Sequence, residues 1–211
     1  MGKLVFLEPN RFDSEPFTTS DVIAEYAEVN YRSIQRIIEK HESDFREFGQ
    51  VRFQITPVKY SRGTNEKKIY LLNEQQATLL ITYLKNTAPV REFKKELVRQ
   101  FYSMRNEVLQ RRLNREAIKP VRRELTDVVK EVDAGKWAYK KYLDLAYKTT
   151  LGKNAKQLRL ERGAPKNANA TDYLTATEMD DTKKRTGQIA VLLELGLDYK
   201  QVKSTLELKQ A

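Results

Sequence analysis

Residues 19–40 read TSDVIAEYAEVNYRSIQRIIEK and predict two short helices joined by a tight turn. Apolar residues recur at helical spacing on one face of each helix: Ile23, Ala24 and Ala27, then Ile34, Ile37 and Ile38. Thr19 or Ser20 is expected to cap the first helix, because a side-chain oxygen there accepts a first-turn N–H group. The small side chain of Ala24 allows the two helices to cross closely, as a helix-turn-helix requires.

The turn itself reads Ala27-Glu28-Val29-Asn30 and lacks the glycine that many such motifs carry. Asn tolerates the left-handed conformation better than most residues. Asn30 is therefore expected to take the left-handed position of the turn.

The second helix presents polar side chains away from its apolar face: Asn30, Tyr31, Arg32, Gln35, Arg36 and Lys40. These residue types hydrogen-bond base edges and phosphates, so the stretch predicts a DNA-reading helix. An ordinary pair of antiparallel helices with a solvated polar face has the same pattern and is the alternative. Acidic residues within or beside this helix favour binding to a protein rather than to DNA, because they would repel phosphates: Glu28, Glu39, Glu42, Asp44 and Glu47.

Residues 51–73 predict a β-hairpin, because apolar and polar residues alternate on both sides of the turn-forming segment SRGTNE. A hairpin directly after a helix-turn-helix is the arrangement called a winged helix. Four basic residues at the tip and flanks of this wing are placed for backbone phosphates: Lys59, Arg62, Lys67 and Lys68. A basic solvated loop is the other interpretation of this segment.

The remainder of the chain predicts helices. A long amphipathic helix over residues 90–113 is a candidate for pairing with a second copy, which predicts a homodimer or higher homo-oligomer. The predicted organisation is a winged helix-turn-helix-like domain at 1–113, a linker at 114–120 and an all-helical interaction domain at 121–211. Helix-capping signals stand at Asn73, Asn154, Thr175 or Thr177, and Asp198, and Gly196 is a left-handed stop signal. The fold class is mainly α with a small β-hairpin.

Aromatic and basic residues interleave over residues 136–152, KWAYKKYLDLAYKTTLG. Such interleaving is found where nucleic acid binds by stacking. Because apolar residues cover much of the helix circumference, a central core helix is the favoured interpretation.

The net charge of +10 and the isoelectric point near 9.6 favour an anionic partner, nucleic acid being the commonest.

The chain has no cysteine and one histidine, His41, which excludes disulfides and zinc sites built on Cys or several His residues. No cofactor-binding or catalytic motif is present, so no cofactor or enzymatic activity is expected. No apolar run approaches the ~20 residues that span a bilayer, and a cytoplasmic protein is expected.

Residues 18–112 resemble phage regulatory proteins of the Rha type. The resemblance rests on TTSDVIAEYAEVNYRSIQRIIEKH, on the hairpin, on KKIYLLNEQQATLLITYL and on VREFKKELVRQFYSM. The later strings GKNAKQLR, DYLT and LLELGLDY look like a helical module at the C-terminus of phage antirepressor-type proteins. The resemblance implies a regulator acting in the host bacterial cytoplasm, with no catalytic residues.

Two functions follow from these observations. The first is a phage or prophage regulator that binds double-stranded DNA through its helix-turn-helix and controls transcription of phage genes. The second is an antirepressor that binds a phage repressor or other regulatory protein without contacting DNA.

Overall fold

A computed structural model describes residues 2–8, 14–60, 63–133 and 135–207, with the side chains of 58–60 and 63–65 left undescribed. The fold is mainly helical with one small antiparallel sheet, as the sequence predicts. Contacts between Cα atoms divide the chain into two compact units, with the division between Asn106 and Glu107.

The elements of the first unit are β1 (Phe17–Thr19), α1 (Ser20–Tyr26), α2 (Tyr31–Lys40), α3 (Glu42–Arg46), β2 (Arg52–Tyr60), β3 (Gly63–Asn73), α4 (Glu74–Tyr83) and the first part of α5 (Ala88–Val132). The strands form a sheet in the order β1-β3-β2, with antiparallel neighbours. β2 pairs with β3 along its whole length, from Arg52 opposite Leu71 to Tyr60 opposite Gly63. β1 pairs only with the last three residues of β3, from Leu71 to Asn73.

The core of this unit lies between the helices and the base of the sheet. Its fully buried side chains include Ile23, Ile34, Ile38, Phe45, Leu72, Leu80 and Phe93. Ile34 and Ile38 lie one turn apart on α2 and so direct one face of that helix inward. The apolar periodicity of residues 19–40 is thus what fixes which face of α2 remains outside.

The turn between α1 and α2 differs from the prediction. Glu28, not Asn30, takes the left-handed conformation, with φ of 53°. The N–H of Val29 donates to the carbonyl of Ala24 at 3.0 Å, and that of Glu28 donates to Glu25 at 3.3 Å. This is the Schellman pattern, which puts the left-handed residue immediately after the helix cap, Ala27. The expectation for Asn30 was wrong because Asn30 has φ of −57° and caps α2 instead.

The cap of α1 also differs. Thr19 holds the N-cap position, but neither its hydroxyl nor that of Ser20 accepts a first-turn N–H group. The Thr19 hydroxyl donates to the Asp21 carboxylate. The buried Ser20 hydroxyl accepts a hydrogen bond from the sheet, which the next subsection describes.

The second unit is helical and contains the later part of α5, then α6 (Ala138–Leu151), α7 (Ala155–Glu161), a 3-10 turn (Ala170–Tyr173), α8 (Ala176–Glu194) and α9 (Tyr199–Glu207). Two clusters of buried side chains form its core, one around Leu125, Leu145 and Ile189 and one around Ile118, Tyr147 and Met179. Tyr142 and Tyr147 of α6 are buried, so this helix is a core helix as favoured from its sequence.

Residues 114–120, predicted as a linker, are helical and lie within α5. Asn114 donates to the carbonyl of Ala176 at 2.8 Å, and Arg115 pairs with Asp172 at 2.7 Å. Ile118 is fully buried. These contacts hold the segment as helix although Pro120 supplies no N–H group to the helical ladder.

Several predicted caps are confirmed. Asn73, Asn154 and Thr175 each form a capping box with the residue three positions later. The Asp198 carboxylate accepts from the N–H of Gln201 at 2.9 Å, and Gly196 has φ of 83°.

No helix in the described ranges combines the length and apolar character that a membrane crossing requires.

Replacing Glu28 by Gly is expected to raise the free energy of unfolding by about 0.5–1 kcal/mol, because a Cβ in the left-handed conformation costs more than the extra freedom of an unfolded Gly. Urea unfolding followed by circular dichroism measures this change. Glu28→Ala removes the same charge and keeps the Cβ, so it should bring no such gain. An equal gain in both variants would contradict the conformational explanation.

Candidate nucleic-acid interface

The open edge of β3 is bound by side chains from the helix pair. Because β1 ends at Thr19, the edge of β3 at Lys68 and Tyr70 has no strand beside it. The N–H of Tyr70 donates instead to the hydroxyl of Ser20 at 2.9 Å. The carbonyl of Lys68 accepts from the Tyr31 hydroxyl and, at 3.2 Å, from the Gln35 amide. These bonds join the hairpin to α2.

Burial raises the pKa of the Tyr31 hydroxyl and that of Tyr70. Each phenol therefore keeps its proton and acts as a hydrogen-bond donor. The Tyr31 hydroxyl donates to the backbone of β3, and the Tyr70 hydroxyl donates to the Glu39 carboxylate at 3.1 Å. These two phenol hydrogen bonds thus join α2 and the hairpin, one donated by α2 and one donated by β3.

Three of the side chains predicted to read DNA have roles within the fold. The Asn30 carboxamide oxygen caps α2 by accepting the N–H of Arg32 at 2.9 Å. Tyr31 and Gln35 are only partly exposed and use polar atoms to bind β3. Their contact with DNA stays a prediction.

The other three form a basic stripe on α2. Arg32, Arg36 and Lys40 are spaced by four residues, so they lie on one face of the helix, and all three are exposed. Within the described ranges none of them has a carboxylate within ion-pair distance. We call these three residues the basic stripe. It faces away from Ile34 and Ile38, and its charges are available to an outside anion.

Most carboxylates near α2 are already engaged. Glu39 accepts from Tyr70, and Glu42 pairs with Arg46 at 2.7 Å. Asp44 accepts from the Tyr83 hydroxyl at 2.8 Å, and this bond is the main reason that the pKa of Asp44 lies below its usual range. Arg46 offsets the charge of Glu42, whereas Glu39 and Asp44 keep their negative charge because their hydrogen-bond donors are neutral phenols. Glu28 and Glu47 are exposed.

The predicted wing residues fall into two groups. Lys67 lies over the ring of Tyr31, with its ammonium group 4.2 Å from the ring centroid. Lys68 lies over Phe53 and Tyr70 at 4.3 and 4.7 Å, and its contact with the Tyr70 hydroxyl raises its pKa. Both ammonium groups are therefore held at the base of the hairpin, beside α2. The Lys59 side chain and the whole of Arg62 lie outside the described residues.

Residues 18–106 match the family model described as phage regulatory protein Rha. This N-terminal segment is of the Rha type. The match confirms the resemblance predicted for it and supports a phage regulatory role. A search of curated proteins gave no match. The resemblance of the C-terminal strings to an antirepressor-type module stays a prediction.

The Rha-type segment also has an apolar surface that the sequence analysis missed. Phe53 and Ile55 of β2 are 50% and 56% exposed. The alternation of residues 51–55 is that of a strand with one buried face, but α1 and α4 pack mainly against β1 and β3 rather than β2. Phe53 lines a cleft of about 280 Å³ whose other walls include Glu42, Arg46, Lys68 and Tyr70.

Replacing Ser20 by Ala should lower the free energy of unfolding by about 1–3 kcal/mol, because it leaves the N–H of Tyr70 buried without an acceptor. Ser33→Ala, on the exposed side of α2, removes the same hydroxyl group and should change stability little. Urea unfolding of both variants measures the difference. Equal stabilities would show that the bond from Tyr70 to Ser20 does not hold the hairpin.

Proposed function

We propose that the Rha-type segment binds double-stranded DNA through α2 as a winged helix-turn-helix and thereby controls transcription of phage genes. The observation that carries the proposal is the basic stripe: three exposed cations at one-turn intervals, without carboxylate partners among the described residues. The family match supports the phage regulatory part of the proposal. No catalytic step is part of this function.

α2 has the dimensions to enter a major groove, which is about 12 Å wide. Arg32 and Arg36 then face base edges or phosphates, where a guanidinium group donates two parallel hydrogen bonds. Lys40, at the end of the helix, contacts a phosphate. The contacts of Tyr31 and Gln35 with β3 keep the hairpin beside the helix, so Lys67 and Lys68 contact the neighbouring backbone together with the predicted wing residues Lys59 and Arg62.

The double variant Arg32→Ala/Arg36→Ala is expected to weaken binding to a duplex of about 20 base pairs and to reduce the slope of log K against log salt by about 2, because two phosphate-neutralising cations are lost. Fluorescence anisotropy with labelled duplex between about 50 and 200 mM salt measures both quantities.

Lys85→Ala/Lys156→Ala is the matched control, since it removes two exposed cations that, like the basic stripe, have no ion-pair partner among the described residues. This control should retain the salt slope of the original chain. The proposal fails if the two double variants lose the same affinity, or if the α2 variant loses none.

The second candidate function is an antirepressor that binds a phage repressor. The observation that favours it is the exposed pair Phe53 and Ile55 on β2, an edge strand of the sheet. An apolar surface beside an unpaired strand edge suits a protein partner better than a phosphate backbone. Phe53→Ser/Ile55→Ser should then abolish binding to the purified repressor in calorimetry while leaving any duplex binding intact.

We also infer that the protein self-associates through α5. Val98 and Tyr102 lie one turn apart on this helix and are exposed, at 43% and 57%. A second copy of the helix would cover them, and two recognition helices would then contact successive half-sites.

Val98→Glu/Tyr102→Glu should convert the dimer to a monomer, because two carboxylates would be buried in its interface. Size-exclusion chromatography with light scattering measures the mass. Gln75→Glu/Thr78→Glu, which introduces two carboxylates at exposed positions of α4, should remain dimeric. A monomer in the original chain would overturn the inference.

A further inference from the structure

α6 places its aromatic residues in two environments. Tyr142 and Tyr147 are buried in the core of the second unit. Trp137, at the N-cap position of the same helix, is 67% exposed and is the only tryptophan of the chain. A large exposed indole is unusual on a surface, because burying an aromatic side chain of this size is strongly favourable. The core interpretation of residues 136–152 therefore does not account for Trp137.

Two lysine ammonium groups lie over the indole ring, where an unpaired base that stacks on it would displace them toward its flanking phosphates. The ammonium groups of Lys136 and Lys140 lie 5.7 and 5.6 Å from its centroid. Both lysines are exposed, and within the described part of the chain neither has an ion-pair partner. Lys141, in contrast, pairs with Asp133 at 2.6 Å and lies over Tyr142 and Tyr199.

The surrounding charge is positive. The nearest acidic group before Trp137 along the chain is Asp133, and Lys141 neutralises it. The next acidic residue after Trp137 is Asp144, whose carboxylate accepts the N–H of Ala155 at 3.3 Å. Residues 119–166 as a whole contain 13 basic and 6 acidic side chains. An anion approaching Trp137 therefore meets little opposing charge.

We propose that Trp137, Lys136 and Lys140 form a binding site for single-stranded nucleic acid. An exposed aromatic face stacks on an unpaired base, and flanking cations bind the phosphates on either side of it. A duplex does not fit this chemistry, because its bases are already stacked and present only their edges in the grooves. The site is separate from the basic stripe on α2 and does not depend on the function proposed for it.

The only tryptophan makes the site directly observable. Titration of the full chain with an oligothymidylate of about 12 nucleotides should quench the intrinsic fluorescence, because the base stacks on the indole. Duplex DNA and heparin, which offer phosphate or sulfate charge without unpaired bases, should not quench it. Arg32→Ala/Arg36→Ala should show the same quenching as the original chain, which separates this site from α2.

Variants test separately the stacking residue and the two lysines of the site. Fluorescence anisotropy with labelled oligothymidylate measures the affinity of each variant. Trp137→Ala should weaken binding by about tenfold, and Trp137→Tyr should restore most of it because the stacking face is kept. Lys136→Gln/Lys140→Gln should reduce the salt slope by about 1.4. Lys85→Gln/Lys95→Gln, at exposed positions of the first unit, should leave the slope unchanged.

The proposal is overturned by any of three results. Oligothymidylate leaves the fluorescence unchanged at low salt; heparin quenches as strongly as oligothymidylate; or Trp137→Ala binds as well as the original chain. Binding of a protein partner at Trp137, with no quenching by the oligonucleotide, would also overturn it.

Discussion

The structure of the first unit depends on how the backbone N–H and C=O groups at the open edge of β3 are hydrogen-bonded. β1 stops at Thr19 because the chain turns there into α1, and this leaves backbone groups of Lys68 and Tyr70 without a strand partner. Buried backbone groups must be hydrogen-bonded, so the helix pair has to supply the missing donors and acceptors. Ser20, Tyr31 and Gln35 do so. The orientation of α2 against the hairpin follows from these bonds.

That orientation determines which side chains are available for a partner. Once Ile34 and Ile38 are buried and Tyr31 and Gln35 bind β3, the remaining face of α2 carries the basic stripe. Glu39 lies toward the hairpin, where Tyr70 donates to it. The same contacts that stabilise the sheet therefore leave the cations of the basic stripe outside, where they set the charge that a partner meets.

The second unit shows a similar division of side chains by burial. α6 is amphipathic, and two of its tyrosines, Tyr142 and Tyr147, lie in the core. The Tyr147 hydroxyl accepts from Arg122 at 2.9 Å and lies 3.0 Å from the Thr171 hydroxyl. Trp137 precedes the first turn of the helix and falls outside this packing. Helical periodicity does not extend to a capping position, so the core that covers Tyr142 and Tyr147 does not cover Trp137. An exposed indole beside free lysines results from this position.

The sequence by itself determined most helices, the hairpin, most caps and the apolar face of α2, because these depend on residues a few positions apart. It also carried the resemblance to phage regulatory proteins of the Rha type, which the family match over residues 18–106 confirms. The left-handed position of Glu28 also rests on local bonds, but it was missed because Glu rarely takes that conformation. Tertiary structure decided the rest. Residues 114–120 are helical because Ile118 is buried among distant residues. Tyr31 and Gln35 bind the hairpin because β1 is short and leaves an edge of β3 open. Phe53 remains exposed because α1 and α4 pack mainly against β1 and β3. Such outcomes depend on contacts between residues far apart in the chain, which local spacing does not encode.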